Sequence, residues 1–80
     1  MKNVLITGGT SKIGLRLIKY FIKKKYFIIC HYNNNYQKID YPYIDFFKLD
    51  FSNIDIVKKN INKIFKKYEH IDLIINNACL

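Results

Sequence analysis

Apolar residues along the chain fall into short continuous runs that alternate with longer stretches of helical period. Val4-Leu5-Ile6-Thr7 is such a run, bounded by Gly8-Gly9, and reads as a strand buried on both faces. From about Lys12 the positions Ile13, Leu17, Tyr20 and Phe21 recur at helical spacing, with Arg16, Lys19, Lys23 and Lys24 outside them. This predicts an amphipathic helix closed by Lys23-Lys24-Lys25, cations where the helix dipole favours them. Tyr26–Tyr32 is rich in β-formers and predicts a second strand, followed by an Asn33-Asn34-Asn35 loop. Tyr36–Tyr43, with Pro42, leaves room for a weak helix of about one or two turns. Ile44–Leu49 predicts a third strand ending at Asp50-Phe51. Ser52 at an N-cap, with Asp55 three residues on, opens a helix whose inward face is Ile54, Val57, Ile61, Ile64 and Tyr68. Lys58, Lys59, Lys63, Lys66 and Lys67 fall on its outer side, and His70–Ile75 predicts a fourth strand.

Strand, helix, strand, weak helix, strand, helix, strand is the order of parallel strands joined by right-handed crossovers. The expected class is α/β, half of a doubly wound parallel sheet, as one domain over residues 1–80 with no repeat and no linker.

Charge changes this picture little. Fourteen Lys+Arg against six Asp+Glu give a net charge of +8, which invites a nucleic-acid reading. Arg16 is the one arginine among those basic residues, whereas nucleic-acid surfaces favour arginine for bidentate contacts. The wealth of Lys, Asn, Ile, Tyr and Phe matches AT-rich codons, and the lysines read as solvated helix faces. No nucleic-acid partner is expected. No apolar run reaches the roughly 20 residues of a membrane span, and the apolar start breaks into Gly8-Gly9 too early for a signal peptide. The expected location is the cytoplasm. Cys30 and Cys79 show neither Cys-x-x-Cys nor metal-ligand spacing to His31 or His70, so free thiols and no metal are expected. On strands two and four they would stand about 9–10 Å apart, beyond the roughly 7 Å limit for a disulfide.

Gly8, Gly9 and Gly14, the only glycines, lie between the first strand and the first helix. A strand turning into a helix aims unpaired N–H groups and the positive dipole end at one spot, where a dinucleotide diphosphate can sit. Gly8 permits the turn, Gly14 lets the helix lie close to the sheet, and Thr10 and Ser11 add hydroxyl donors.

Thr7-Gly8-Gly9-Thr10-Ser11-Lys12-Ile13-Gly14 resembles the Thr-Gly-x-x-x-Gly-x-Gly signature of the short-chain dehydrogenases/reductases. Asp50 after the third strand matches the acid that family uses near adenine, and Asn76-Asn77-Ala78 matches its Asn-Asn-Ala-Gly stretch. The resemblance spans the whole chain but only the family's N-terminal third. It implies the N-terminal half of a Rossmann fold, strand order 3-2-1-4, truncated so that the fourth strand becomes an exposed edge. A chain built that way is expected to aggregate or stay partly molten unless a partner caps the edge.

Lys12 stands where the family usually has its middle glycine, and Cys79 replaces the last glycine of Asn-Asn-Ala-Gly. With Lys12, His31-Tyr32 and Asp50-Phe51-Ser52, the chain is similar to pteridine reductases and bacterial dihydromonapterin reductases. That similarity implies an NADPH-dependent reductase of a pterin-like substrate in tetrahydropterin or folate metabolism, homo-oligomeric in its full-length relatives. NAD sites place an acid about 20 residues past the glycine turn. Here Cys30–Asn35 holds none, which permits NADP, with Lys12, His31 and the asparagines as donors. Thr7, Gly8, Lys12, Ile13 and Gly14 would line the diphosphate, Tyr32 and Asn33 the 2′-phosphate, Asp50 and Phe51 the adenine, and Asn76 and Ala78 the ribose. The family's catalytic Tyr-x-x-x-Lys pair is missing. Tyr20 and Lys24 have its spacing, but Tyr20 reads as part of the first helix's apolar face. The alternatives are another short-chain reductase of the 3-oxoacyl-carrier-protein type and a non-catalytic nucleotide-binding remnant.

Overall fold

The computed structural model describes residues 1–77. Four parallel strands, β1 (Asn3–Thr7), β2 (Phe27–Tyr32), β3 (Ile44–Lys48) and β4 (Leu73–Asn76), form one sheet in the order β3-β2-β1-β4. Helix α1 (Lys12–Lys23) joins β1 to β2, and α2 (Ile54–Lys67) joins β3 to β4. The order 3-2-1-4 expected for a Rossmann half-sheet is therefore the order observed. Register runs Val4↔Ile28 and Ile28↔Ile44 on one side of β1, and Val4↔Leu73 on the other.

Period-two alternation splits the sheet's residues between two faces. Val4, Ile6, Ile28 and Cys30 pack with Ile18 and Phe21 of α1 into the buried core. The Cys30 thiol is free, and burial pushes it up to about 12. Leu5, Thr7, Phe47 and Ile74 turn the other way and, with Ile61, Ile64 and Phe65 of α2, line a partly open cavity of about 190 Å³.

Residues 36–43 form no helix. Tyr36 stacks on Phe46 with ring centroids 4.3 Å apart, Ile39 and Tyr41 pack on the core, and the Tyr41 hydroxyl donates to the Tyr26 carbonyl at 2.6 Å. These aromatic contacts hold the segment as an irregular loop against the sheet, where one short helical turn would have offered few hydrogen bonds. The N-cap of α2 is Asn53, one residue later than expected, its Oδ1 accepting from the Ile56 amide at 3.2 Å. Ser52 instead turns back on Asp50, its amide donating to Asp50 Oδ1 at 2.9 Å and its hydroxyl bonding the same carboxyl. On α2, Val57, Ile64 and Tyr68 are half-buried, but Ile54 is 66% exposed and Ile61 is also exposed, so the expected inward face is only partly realised. Among the described residues no helix is long and apolar enough to cross a membrane.

Candidate functional site

The turn between β1 and α1 is built by hydrogen bonds that close on Gly8 and Ser11. Gly8 has φ 62°, a left-handed conformation that costs glycine little. Its carbonyl accepts from the Ser11 amide (3.2 Å), the Ser11 hydroxyl (3.0 Å) and Asn77 Nδ2 (2.9 Å). Ser11 caps α1 by accepting from the Gly14 amide at 3.0 Å. A Cβ on Gly14 would stand 2.5 Å from the Gly8 carbonyl oxygen, so only glycine lets the helix begin against the turn.

Two loop amides face back into the protein: Gly8 N–H donates to His31 Nδ1 (2.9 Å) and Gly9 N–H to the His31 carbonyl (3.0 Å). The amides of Thr10, Lys12 and Ile13 have no partner among the described residues. Those three residues, at the positive end of α1, line a cleft of about 1120 Å³ at the C-terminal rim of the sheet. This is where open α/β sheets bind ligands.

One wall of the cleft is the turn, with Gly8, Thr10, Ser11, Lys12 and Ile13. The other is the end of β3, with Leu49, Asp50, Phe51 and Ser52, and Asn33, His31 and Asn77 lie between them. The Asp50 carboxyl is held below the usual carboxylate range, first by the Ser52 amide and then by the Ser52 hydroxyl. A cationic and amide-rich end thus faces a carboxylate end across one groove.

Eight sequence-derived candidates share this cleft: Gly8, Thr10, Ser11, Lys12, Ile13, Asn33, Asp50 and Phe51. Gly14 lies buried behind the turn. Thr7 and Asn76 face one another, the Thr7 hydroxyl 3.0 Å from Asn76 Oδ1, and tie β1 to β4 outside the lining. The Tyr32 ring lies 4.7 Å from that of Tyr36, also outside it. Ala78 and Cys79 fall outside the described residues. His31 departs from its expected role as a 2′-phosphate donor. It is 2% exposed and both its ring nitrogens are engaged, Nε2 with the Leu49 carbonyl at 2.7 Å. Tyr20 is 54% exposed and so not on the apolar face, and with Lys24, whose ammonium lies 5.6 Å from its ring centre, it stands away from the cleft.

Asn77 was missed as a lining residue although its neighbours were named. Its amide donates to the Thr7 hydroxyl (2.9 Å) and its Nδ2 to Ser11 Oγ (3.0 Å), so it splices β4 onto the turn. The Asn-Asn pair itself was the signal, since Asn76 ends β4 beside Thr7 and the next residue, Asn77, reaches the turn.

The family model for short chain dehydrogenases matches residues 2–80. A short-chain dehydrogenase from Leptospira borgpetersenii with bound NAD+ superimposes with a TM-score of 0.85 at 24% identity, over 99% of this chain and 32% of that one. ElxO, solved with NADP bound, gives 0.80 at 34% identity over 99% of this chain and 35% of its own. The ligand-free aldohexose dehydrogenase of Thermoplasma acidophilum gives 0.81 at 30% identity, over 99% and 30%. The chain therefore spans about a third of the length of these structures. No curated protein matches it.

Proposed function

Because the chain belongs to the short-chain dehydrogenase family, we propose that it is the dinucleotide-binding part of an NADPH-dependent reductase acting on a dihydropterin-like ring. The observation that carries the dinucleotide reading is the trio of open amides at Thr10, Lys12 and Ile13, set at the positive end of α1 in a cleft closed opposite by Asp50 and Phe51. A diphosphate fits such a cradle, because each open N–H is a donor that otherwise meets only water.

Bound there, the nicotinamide dinucleotide supplies the hydride of the reaction. The protein's share is to hold it. The Lys12 and Ile13 amides donate to the diphosphate oxygens, the Thr10 hydroxyl adds a donor, and the Lys12 ammonium neutralises charge. Asp50, kept ionised by Ser52, accepts from an exocyclic amine of the adenine beside the Phe51 ring.

Preference for the 2′-phosphate is supported by two features of the rim. Asn33 occupies the strand-end position where NAD sites carry an acid, and Lys12 lines the same cleft. The pterin assignment is supported by the likeness of Lys12, His31-Tyr32 and Asp50-Phe51-Ser52 to the pteridine and dihydromonapterin reductases.

Titration of the protein with NADPH and NADH, followed by cofactor fluorescence, tests the cofactor. NADPH is expected to bind at least about tenfold tighter, as one charge-assisted contact to the 2′-phosphate would give; equal affinities overturn the preference. Loss of NADPH absorbance with a dihydropterin, measured on a protein that carries this chain together with a catalytic Tyr-x-x-x-Lys pair, tests the substrate, and turnover of 3-oxoacyl thioesters alone overturns it.

A further inference from the structure

We propose that His31 is a positioning residue of the dinucleotide site, a buried strut that sets the phosphate-binding turn against the adenine-side rim. His31 is the one buried polar side chain among the described residues, at 2% exposure. Nothing in the cofactor-holding scheme above uses it, yet it touches both walls of the cleft. Its Nδ1 accepts from the Gly8 amide at 2.9 Å, and its Nε2 lies 2.7 Å from the Leu49 carbonyl. An amide N–H can only donate and a carbonyl can only accept, so the ring is the neutral tautomer with its proton on Nε2. Every polar atom of the ring is spent on holding backbone.

The ring also stacks on Phe51, centroids 4.5 Å apart and planes 20° from parallel, and meets Phe47 at 5.5 Å. One side chain thereby fixes the left-handed Gly8, the end of β3 and the aromatic on the adenine side. The backbone of the same residue holds the next amide of the turn, through Gly9 N–H to the His31 carbonyl at 3.0 Å. With Gly8 and Gly9 drawn inward, the Thr10, Lys12 and Ile13 amides are the ones left open to the cleft. A ligand that spans both walls needs their separation set in advance, and that pre-organisation is what the imidazole supplies.

This inference rests on the dinucleotide reading, and two measurements separate the failure of one from that of the other. His31→Phe keeps a ring over Phe51 but removes acceptor and donor. His31→Gln restores an acceptor and a donor but removes the ring. Amide hydrogen exchange reads the link without any ligand: Gly8 N–H is expected to be protected in the parent and in His31→Gln, and unprotected in His31→Phe. NADPH titration reads the consequence. His31→Phe is expected to bind about tenfold more weakly or worse, because a turn no longer tied to the rim must be ordered as the ligand binds, and His31→Gln to recover most of that loss.

A structural role alone predicts the reverse order, with His31→Gln the worse variant because it breaks the aromatic stack. Parent-like affinity in His31→Phe, or affinities that simply follow the melting temperatures of the three proteins, overturns the proposal. Absence of NADPH binding in the parent overturns the dinucleotide reading, and Gly8 exchange then still decides whether the strut exists.

Discussion

The two faces of the sheet draw on the same residue types, isoleucine, leucine and phenylalanine, yet they are packed differently. Against α1, Ile18 and Phe21 are 1% and 4% exposed and close over Val4, Ile6, Ile28 and Cys30 in one buried cluster. Against α2 no helix residue is fully buried, Phe65 is 51% exposed, and a cavity of about 190 Å³ separates helix from sheet. The difference begins at the helix starts. Gly14 brings α1 into contact with the turn, so every later residue of its inward stripe meets the sheet closely. Helix α2 opens with Ile54, Asp55 and Ile56, all exposed, and has no small residue at which its axis could approach the strands. Apolar pattern decides which face a residue takes, and closeness of approach decides what that face contributes.

Truncating one phenylalanine on each face tests this contrast most strongly. Phe21→Ala is expected to cost about 3–5 kcal/mol and Phe65→Ala about 1 kcal/mol or less, measured by urea unfolding. Equal losses would mean that α2 packs as tightly as α1. At the turn, Gly14→Ala forces a methyl to within 2.5 Å of the Gly8 carbonyl. The helix and turn must then part, at about 1–3 kcal/mol of overpacking strain. NADPH affinity should fall at least about tenfold, since the open amides move with the turn. Unchanged affinity in a folded Gly14→Ala protein would separate the turn from dinucleotide binding.

How much of this was legible in the sequence also divides along the two faces. The β1–turn–α1–β2 unit follows from local rules, a buried run, three clustered glycines and a helical period. The inward stripe of α1, however, is Gly14, Ile18 and Phe21 while the expected Ile13 and Tyr20 are exposed, and Ser11 caps the helix. Around the second helix, local rules compete. Ser52 and Asn53 are both good caps, and Asn53 caps while Ser52 turns its amide and hydroxyl back onto Asp50, a side-chain choice invisible in spacing. The stretch 36–43 has too few residues for a stable helix, so its aromatic rings chose the sheet instead. In the site, the turn residues that line the cleft were legible through the glycine pattern. His31 was misassigned because strand alternation gives its side but not its partners. It points to the α2 side with Phe47 and Phe51, where both ring nitrogens meet backbone.

The C-terminal end of α2 offers a smaller test. The Tyr68 hydroxyl donates to the Asp45 carboxylate, which Lys67 approaches to 3.6 Å, and the Tyr68 ring meets Phe27. These contacts pin the looser helix to the sheet. Tyr68→Phe is expected to cost about 1–2 kcal/mol, a hydrogen bond to a charged partner in a half-buried place. Burial and then the Asp45 carboxylate raise the Tyr68 pKa well above its ordinary 10.0. Between the two values the folded protein keeps a proton the unfolded chain has released, so stability falls as pH rises past about 10. Cys30, raised from 9.0 to about 12, acts with the same sign from about pH 9 upward. Unfolding measured from pH 8 to 11 should show this decline, and Tyr68→Phe should lose only the part above about pH 10. A decline of equal steepness in both proteins would mean that Tyr68 ionises as freely folded as unfolded.

The smallest effect lies at the far end of α1, on the well-packed face. The helix finishes in a Schellman motif: the Tyr26 amide reaches back to the Phe21 carbonyl at 3.0 Å and the Lys25 amide to Ile22 at 3.0 Å. Tyr26 and Phe21 also share an aromatic contact, centroids 4.9 Å apart. The motif requires a left-handed residue between them, and Lys25 fills it at φ 60° although a side chain there costs roughly 1 kcal/mol. Lys25→Gly relieves that strain but frees the unfolded chain and removes a cation from the helix end, each worth some tenths of a kcal/mol. The net expectation is a gain of about 0.5 kcal/mol, seen as a higher urea midpoint with an unchanged slope. A loss instead would show that the Lys25 charge at the α1 terminus outweighs the backbone strain, and that the tighter face owes part of its stability to electrostatics rather than to approach.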